Sequence, residues 1–516
     1  MTTQMVDTGP AARTVPRILP DDEHNRTLVR HTHPDDWVNP TPRGRYNLVV
    51  VGSGTAGLTA AGGCAAVGGR AALIERHLTG GDCLVAGCVP SKGIISASRV
   101  AARIRQADAY GVRVPPGTTV DFPAVMERMR RLRARISPAD SVHHLKELGV
   151  DVFLGQGRFT GPDTVEVNGA TLRFARAVIA TGARAAMPPI PGLKEASFLT
   201  NESLFQITAL PQRFVMIGAG PIGCEMAQTF QRLGSQVTLI DAAPHILIRE
   251  DADAAELLQR AFLHEGIHLV LSAKVLRVER HEGDKAVVVE QGGRTVSVAC
   301  DEVLVGVGRA PITEGLNLEA AGVQYDKTGV KVDDFLRTTN PRIYAAGDIC
   351  APFKFTHTAN ALGRMAMINA LFFGRNRMSR LVVPWCTYTD PEIAHVGLYE
   401  HQAKERGIPV TTLTVPLAEN DRAILDGEDE GFVRVHLKRG TDRILGATVV
   451  AAHAGDLLTY FTLAMTNRQG LSSLASAIYP YPTQSEAIKK VANAYLAAKL
   501  TPRVKRLLGM ILAWRR

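Results

Sequence analysis

Cys83 and Cys88 are separated by four residues in Gly80-Gly-Asp-Cys-Leu-Val-Ala-Gly-Cys-Val-Pro-Ser-Lys92. Pro90 is set to open a helix just after the second cysteine. Such a pair suits a redox-active dithiol. Cys88 falls at a helix N-terminus, where the macrodipole and unpaired backbone N–H groups favour a thiolate over a thiol. Lys92 follows one helical turn later. Taken alone, the spacing describes two neighbouring buried cysteines equally well. The surroundings decide.

Upstream, Tyr46-Asn-Leu-Val-Val-Val51 is a short apolar run of the kind that makes a buried parallel strand. It leads into Gly52-Ser53-Gly54-Thr55-Ala56-Gly57 and then an Ala-rich helical stretch. Ala71-Ala-Leu-Ile-Glu75 supplies a second strand that ends in an acid. This is the context a GxGxxG loop needs to hold a dinucleotide. The glycines admit a pyrophosphate at the helix N-terminus, and Glu75 accepts from ribose hydroxyls. The unit then returns: Arg213–Ile217 runs into Gly218-Ala219-Gly220-Pro221-Ile222-Gly223, and Gln236–Ile240 ends at Asp241. Glu75 lies 18 residues after Gly57, and Asp241 lies 18 after Gly223. Two modules imply two dinucleotides. The dithiol just after the first points to FAD there and a nicotinamide donor at the second. A carboxylate at Asp241 repels a 2′-phosphate, so NADH is expected over NADPH.

With these motifs in order from about Tyr46 to Ala497, the chain resembles the class I pyridine nucleotide-disulfide oxidoreductases. That is the flavoenzyme family of dihydrolipoamide dehydrogenase, glutathione reductase and mercuric reductase. Ala180-Thr181-Gly182 and Gly306-Val-Gly308-Arg309 resemble the two crossings between the flavin and nicotinamide domains, and Tyr344-Ala-Ala-Gly347-Asp348 resembles the second flavin-binding stretch. The resemblance implies an α/β fold with two Rossmann-like dinucleotide-binding domains, for FAD and NAD, and a C-terminal α+β dimerisation domain. It implies FAD contacts at Gly52, Gly54, Thr55, Ala56, Gly57, Glu75, Gly81, Asp82, Lys92, Gly157, Thr181, Gly182 and Asp348. It implies nicotinamide-nucleotide contacts at Gly218, Gly220, Ile222, Gly223, Asp241 and Gly308. By the same resemblance, NADH reduces the flavin, which passes electrons to a Cys83–Cys88 disulfide. Cys88 is the flavin-side charge-transfer thiolate and Cys83 the thiol that meets substrate. Lys92 sits near the flavin with Glu225 as its ion-pair partner, which a buried lysine needs to stay charged.

One departure separates members of that family. Those that reduce organic disulfides carry His-Pro-Thr with a glutamate five residues after the histidine, and the segment reaches the partner subunit's active site. Here the stretch reads Tyr481-Pro482-Thr483-Gln484-Ser485-Glu486. Histidine shuttles protons near neutrality, whereas a tyrosine with pKa about 10 does so poorly. Mercuric reductases share this tyrosine, and Hg(II) binds thiolates without needing a protonated leaving group. The expected acceptor is therefore a soft metal ion or related thiol-reactive species, with Cys83 and Cys88 as transient ligands and no structural metal. A metal-relay departure accompanies this: no paired cysteines precede Tyr46, and the chain ends Leu512-Ala-Trp-Arg-Arg516. The alternatives are an NADH-dependent reductase of a small disulfide, or a membrane-surface or quinone-linked electron-transfer protein.

Composition agrees with a globular enzyme: 46% hydrophobic, 21% charged, 47 glycines and seven cysteines in 516 residues. Cys64, Cys224, Cys300, Cys350 and Cys386 read as small core residues of a reducing compartment. No stretch approaches membrane-spanning length and no secretory h-region appears, so a cytoplasmic protein is expected, and the resemblance implies a homodimer with shared active sites. The net charge of +9 does not signal nucleic-acid binding. Its densest run, Arg128-Met-Arg-Arg-Leu-Arg-Ala-Arg135, lacks interleaved aromatics and reads as a solvated helix face. The expected domains are an N-terminal extension at 1–45, FAD-binding segments at 46–183 and 310–380, an NAD-binding domain at 184–309 and a dimerisation domain at 381–500. A basic amphipathic tail occupies 501–516 and is expected to pack on the partner subunit rather than on a membrane. The extension shows no periodicity. Its His31-Thr-His33 is read as docked or solvated rather than metal-binding, and Trp37 as an anchor.

Overall fold

Leu48, Val49, Val50 and Val51 are all buried, because the strand that holds them has neighbours on both edges and layers on both faces. The computed structural model describes residues 16–281 and 284–516. That strand, β1 (Arg45–Val51), is followed by helix α2 (Thr55–Ala66) and β2 (Ala71–Glu75). Helix α1 (Glu23–Thr32) precedes it. Next come the short helix α3 (Gly81–Val85), α4 (Cys88–Arg105) and α5 (Phe122–Ile136). The sheet is completed by β3 (Val150–Leu154), β4 (Gly157–Gly161), β5 (Thr164–Val167) and β6 (Ala170–Ile179). Strand order is β3-β2-β1-β6-β5-β4, with Ile343–Ala345 returning parallel to β6. The β3-β2-β1-β6 pairings are parallel, and β4, β5 and β6 pair antiparallel.

A second α/β layer repeats the plan. β8 (Arg213–Ile217), the helix Pro221–Leu233, β9 (Gln236–Ile240), β10 (His268–Val270) and β14 (Glu302–Val305) form a parallel sheet in the order β10-β9-β8-β14. Its core includes Val215, Ile217, Ile240 and Val303, continuing into the antiparallel β11–β13 (Ala273–His281, Asp284–Gln291, Arg294–Cys300). The link between the two sheets is a small ribbon of β7 (Ala183–Ala185) and β15 (Arg309–Pro311).

Contacts divide the chain into two compact units, residues 1–242 with 266–380 and residues 243–265 with 381–516. Residues 243–265, expected with the nicotinamide domain, thus group with the C-terminal segment. The second unit holds an antiparallel five-stranded sheet ordered 384–387, 392–397, 444–451, 432–438, 410–416. The helices Ala454–Thr466 and Glu486–Ala498 cover it through Phe461, Ile488 and Val491. The helix Pro502–Trp514 is exposed along its whole length and capped by Thr501. Among the described residues no helix is long and apolar enough to cross a membrane.

Three further expectations change. The N-terminal extension contains α1, capped by Asp22. The arginine run of α5 is not a uniformly solvated face: Arg130 and Arg133 are buried. Arg130 pairs with Asp22, while Arg133 donates to Asn25 Oδ1 at 2.6 Å and to the Val85 carbonyl at 2.5 Å. Burial, with Arg130 beside it, brings the Arg133 guanidinium down to about 10. The periodicity was hidden because the apolar face of α1 is mainly Leu28 and Val29, and its anchoring is polar. Cys350 and Cys386, expected in the core, are only partly buried.

Candidate functional site: a dithiol between two dinucleotide loops

Cys88 is the first residue of α4, with Gly87 before it, so it stands at the N-terminal end of an 18-residue helix, where N–H groups lack intrahelical partners. Cys83 lies in α3 and is half-buried. Both cysteines carry free thiols, and the two are near enough to shift each other's protonation. The pair is asymmetric. The Cys83 thiol, then the Thr356 hydroxyl 3.2 Å away and the Lys92 charge, bring the Cys88 thiol down to about 6. Cys88 in turn, with burial, pushes Cys83 far up. The pair is polarised, with negative charge favoured on Cys88 and the proton on Cys83.

Lys92 Nζ lies 2.8 Å from Glu225 Oε2. The carboxylate is 7% exposed and the ammonium 37% exposed. The expected partner is therefore in place, supplied by the helix that opens after the second glycine loop. Thr356 was not legible in the motifs. It begins the helix Thr356–Leu371 only a few residues after Asp348, and that short distance was the available signal.

The two glycine loops have the same local geometry. Gly52 and Gly218 have φ of 102° and 106°, conformations that L side chains rarely adopt. A Cβ on Gly57 would stand 1.8 Å from the Gly52 carbonyl, and one on Gly223 1.8 Å from the Gly218 carbonyl. At Gly54 and Gly220 a Cβ would meet nothing within 4 Å. Each loop is thus closed at its ends and open in the middle, facing a helix N-terminus. That fits a pyrophosphate. Thr55 and Ala56 are the first two residues of α2, and Ile222 is the second residue of its counterpart helix, with a partly exposed side chain. Glu75 accepts from Ser53 N and Oγ at 2.8 and 2.7 Å. Asp241 accepts from Ala219 N at 2.6 Å. Both strand-end acids hold their own glycine loop.

Gly81 abuts the first loop: a Cβ there would lie 2.7 Å from Gly54 Cα. Asp82 meets Arg309 Nη2 at 3.0 Å, and Arg309 Nε lies 3.4 Å from Asp348 Oδ2. Burial raises the Asp348 carboxyl, against the pull of Arg309 and Lys354. Asn201 Nδ2 also donates to Asp82 Oδ1 at 2.9 Å. Thr181 Oγ1 donates to the Ile312 carbonyl at 2.7 Å, and both Gly182 and Gly308 have positive φ with open space beside them. Gly157 begins β4, and a Cβ there would lie 3.1 Å from the Ile74 side chain and 3.3 Å from that of Val51. These residues all lie in the same compact unit as the dithiol.

Tyr481 belongs to the second unit. It is 71% exposed, and its hydroxyl donates to Asp421 Oδ2 at 3.0 Å. That bond raises its pKa further above the ordinary tyrosine value. Glu486 opens the helix Glu486–Ala498. His31 and His33 are docked, on Ser137 Oγ at 2.8 Å and on the His77 carbonyl. Among the described residues no group of three or more His, Cys, Asp or Glu is placed to hold a metal ion.

Two parallel dinucleotide folds sharing a dithiol define a flavin-and-nicotinamide redox protein as a class. The family profile for pyridine nucleotide-disulphide oxidoreductases matches residues 46–364, and that for the family's dimerisation domain matches residues 383–492. The chain belongs to this family, whose members use FAD and a nicotinamide nucleotide. It is 34% identical to a mercuric reductase of Bacillus cereus over 485 residues, 94% of this chain and 77% of that protein. It is likewise 34% identical to a dihydrolipoyl dehydrogenase of Thermus scotoductus over 456 residues, 87% of this chain and 97% of the other. LpdA of Mycobacterium tuberculosis superposes with a TM-score of 0.80 at 30% identity, covering 88% of this chain and 100% of LpdA. The HOCl-induced flavoprotein disulfide reductase RclA of Escherichia coli gives 0.78 at 28% identity, covering 87% and 99%. The dimerisation domain indicates a homodimer, as in the family.

Proposed function

We propose that the protein is an NADH-dependent reductase of a soft metal ion, Hg(II) in type, or of a related thiol-reactive acceptor. The observation that carries the reading is the asymmetric dithiol combined with Tyr481 in place of a proton-shuttling histidine. The open glycine loops and strand-end acids fit FAD at the first module and a nicotinamide nucleotide at the second. Bound FAD supplies the path by which two electrons from the nicotinamide reach the Cys83–Cys88 pair. Cys88 holds negative charge at neutral pH through Cys83, Thr356 and Lys92. Cys83 keeps the proton until an electrophile displaces it, and a soft cation then finds two sulfur donors. Glu225 pairs with Lys92 at 2.8 Å and so fixes the ammonium on the Cys88 side of the helix interface. No step asks Tyr481 to carry a proton near neutrality. Asp241 supports NADH over NADPH by repelling a 2′-phosphate. The matched dimerisation domain supports catalysis by a homodimer, with Tyr481 and Glu486 presented to the partner's dithiol.

A small-disulfide reductase is the second reading, favoured by the similarity to dihydrolipoyl dehydrogenase. Steady-state NADH oxidation with Hg(II) and excess small thiol, beside glutathione disulfide, lipoamide and a quinone, separates them. Turnover with Hg(II) that vanishes in Cys83→Ala is the expected result. Turnover with the quinone alone, surviving that variant, refutes the proposal.

A further inference from the structure

We propose that residues 32–39 form a clamp over the adenosine end of the first dinucleotide site and slow the cofactor's release. The inference rests on the reading that this module binds FAD. In a parallel α/β sheet the nucleotide lies beyond the carboxyl ends of the strands, with the acid that ends the second strand on the ribose. Here those ends are Glu75 of β2 and Leu154 of β3, neighbouring strands in the sheet. The N-terminal segment fastens both chains where they leave the sheet. After β2, Thr79 donates to the Thr32 carbonyl through N at 3.2 Å and Oγ1 at 3.3 Å, and His33 Nδ1 meets the His77 carbonyl. His77 N in turn donates to Glu75 Oε1 at 2.8 Å.

On β3, Trp37 Nε1 donates to the Val152 carbonyl at 3.2 Å. Asn39 then pairs with Leu154 as an added strand would, its Nδ2 donating to the carbonyl at 3.0 Å and its Oδ1 accepting from N at 2.8 Å. The next residue, Gly155, donates its N–H to the Glu75 carbonyl at 2.7 Å. Thr32 and His33 are thus one hydrogen bond from the stretch that follows Glu75, and Trp37 and Asn39 are one hydrogen bond from β3, the strand paired with it. The segment does not hang loose. Upstream it is held by α1, whose Asp22 and Asn25 occupy the buried guanidiniums of Arg130 and Arg133. Trp37 is itself buried, edge-on to His143 with ring centroids 5.5 Å apart.

A simple cover for the edge strand β3 would make many of the same contacts. It would protect the fold and leave FAD exchange alone. The measurement is therefore the FAD dissociation rate, read as the rise in free-flavin fluorescence after dilution of holoprotein, together with the thermal midpoint of the apoprotein. The variants are His33→Ala, Asn39→Ala and their combination, which spare α1 and its arginines. The expected result is FAD release roughly tenfold faster in the double variant, with an unchanged apoprotein midpoint and unchanged NADH affinity. Release at the wild-type rate, with or without a lower midpoint, overturns the clamp and leaves an edge cover. Wild-type protein that retains no FAD would remove the underlying reading instead.

Discussion

Replacing Thr356 with Val removes the hydroxyl 3.2 Å from Cys88 Sγ and keeps the side chain's shape. A hydrogen bond to a charged group contributes about 1.5–3 kcal/mol when desolvated. Cys88 is exposed on the polypeptide, and solvent screening reduces this to about 1 kcal/mol. That corresponds to raising the thiolate midpoint by roughly 0.7. Starting from about 6, the midpoint should move to roughly 6.7, since the lost donor favoured the charged form. At neutral pH the thiolate fraction would fall from about nine-tenths to about two-thirds. The assay is the pH dependence of iodoacetamide alkylation of the reduced protein, with the label located at Cys88 by mass spectrometry. Cys83 is silent near neutrality because its thiol is pushed up. Thr356→Ser, which keeps the hydroxyl, should retain the wild-type midpoint. A midpoint that stays put in Thr356→Val, or moves equally in Thr356→Ser, refutes the reasoning.

A double-mutant cycle of Lys92→Met and Glu225→Gln, read from denaturation midpoints, should give a coupling of about 1–2 kcal/mol, below a fully buried pair because Lys92 is partly exposed. Asp241→Asn should lower the NADH-to-NADPH ratio of kcat/KM by roughly tenfold while still capping Ala219, and an unaltered ratio would remove the charge argument. Tyr481→His should raise disulfide turnover by on the order of a hundredfold and leave Hg(II)-dependent turnover unchanged. His395 is fully buried in the second unit and held down to about 3 by desolvation, so its neutral form stabilises the fold. Stability should therefore fall as pH drops below 6.5, by about 1.4 kcal/mol near pH 5.5, and His395→Gln should flatten that slope in urea titrations.

The parallel strands were legible because burial on both faces demands uninterrupted apolar runs. Tyr46–Val51 and Arg213–Ile217 need no tertiary information to be found. The Lys92–Glu225 pair lies 133 positions apart and was reachable only through the family resemblance, since nothing local in either helix predicts it. Helix α1 escaped notice because its fixing groups are Asp22 and Asn25 meeting distant arginines. Hydrophobic periodicity does not register such contacts. Thr356 and the Arg309 bridge between Asp82 and Asp348 were hidden for the same reason: they come from chain segments far apart in sequence.

The paired glycine loops restrict which substitutions the chain can accept. A methyl group at Gly57 or Gly223 collides with backbone that cannot yield, so almost any mutation there removes a whole module at once. Gly54 and Gly220 differ, because space exists for a side chain and the penalty falls on nucleotide occupancy instead of folding. A lineage drifting away from its cofactor would therefore show its first tolerated changes at these middle positions. In a directed-evolution library, folded but cofactor-free clones should carry replacements at Gly54 or Gly220, and unfolded clones should carry them at the loop ends.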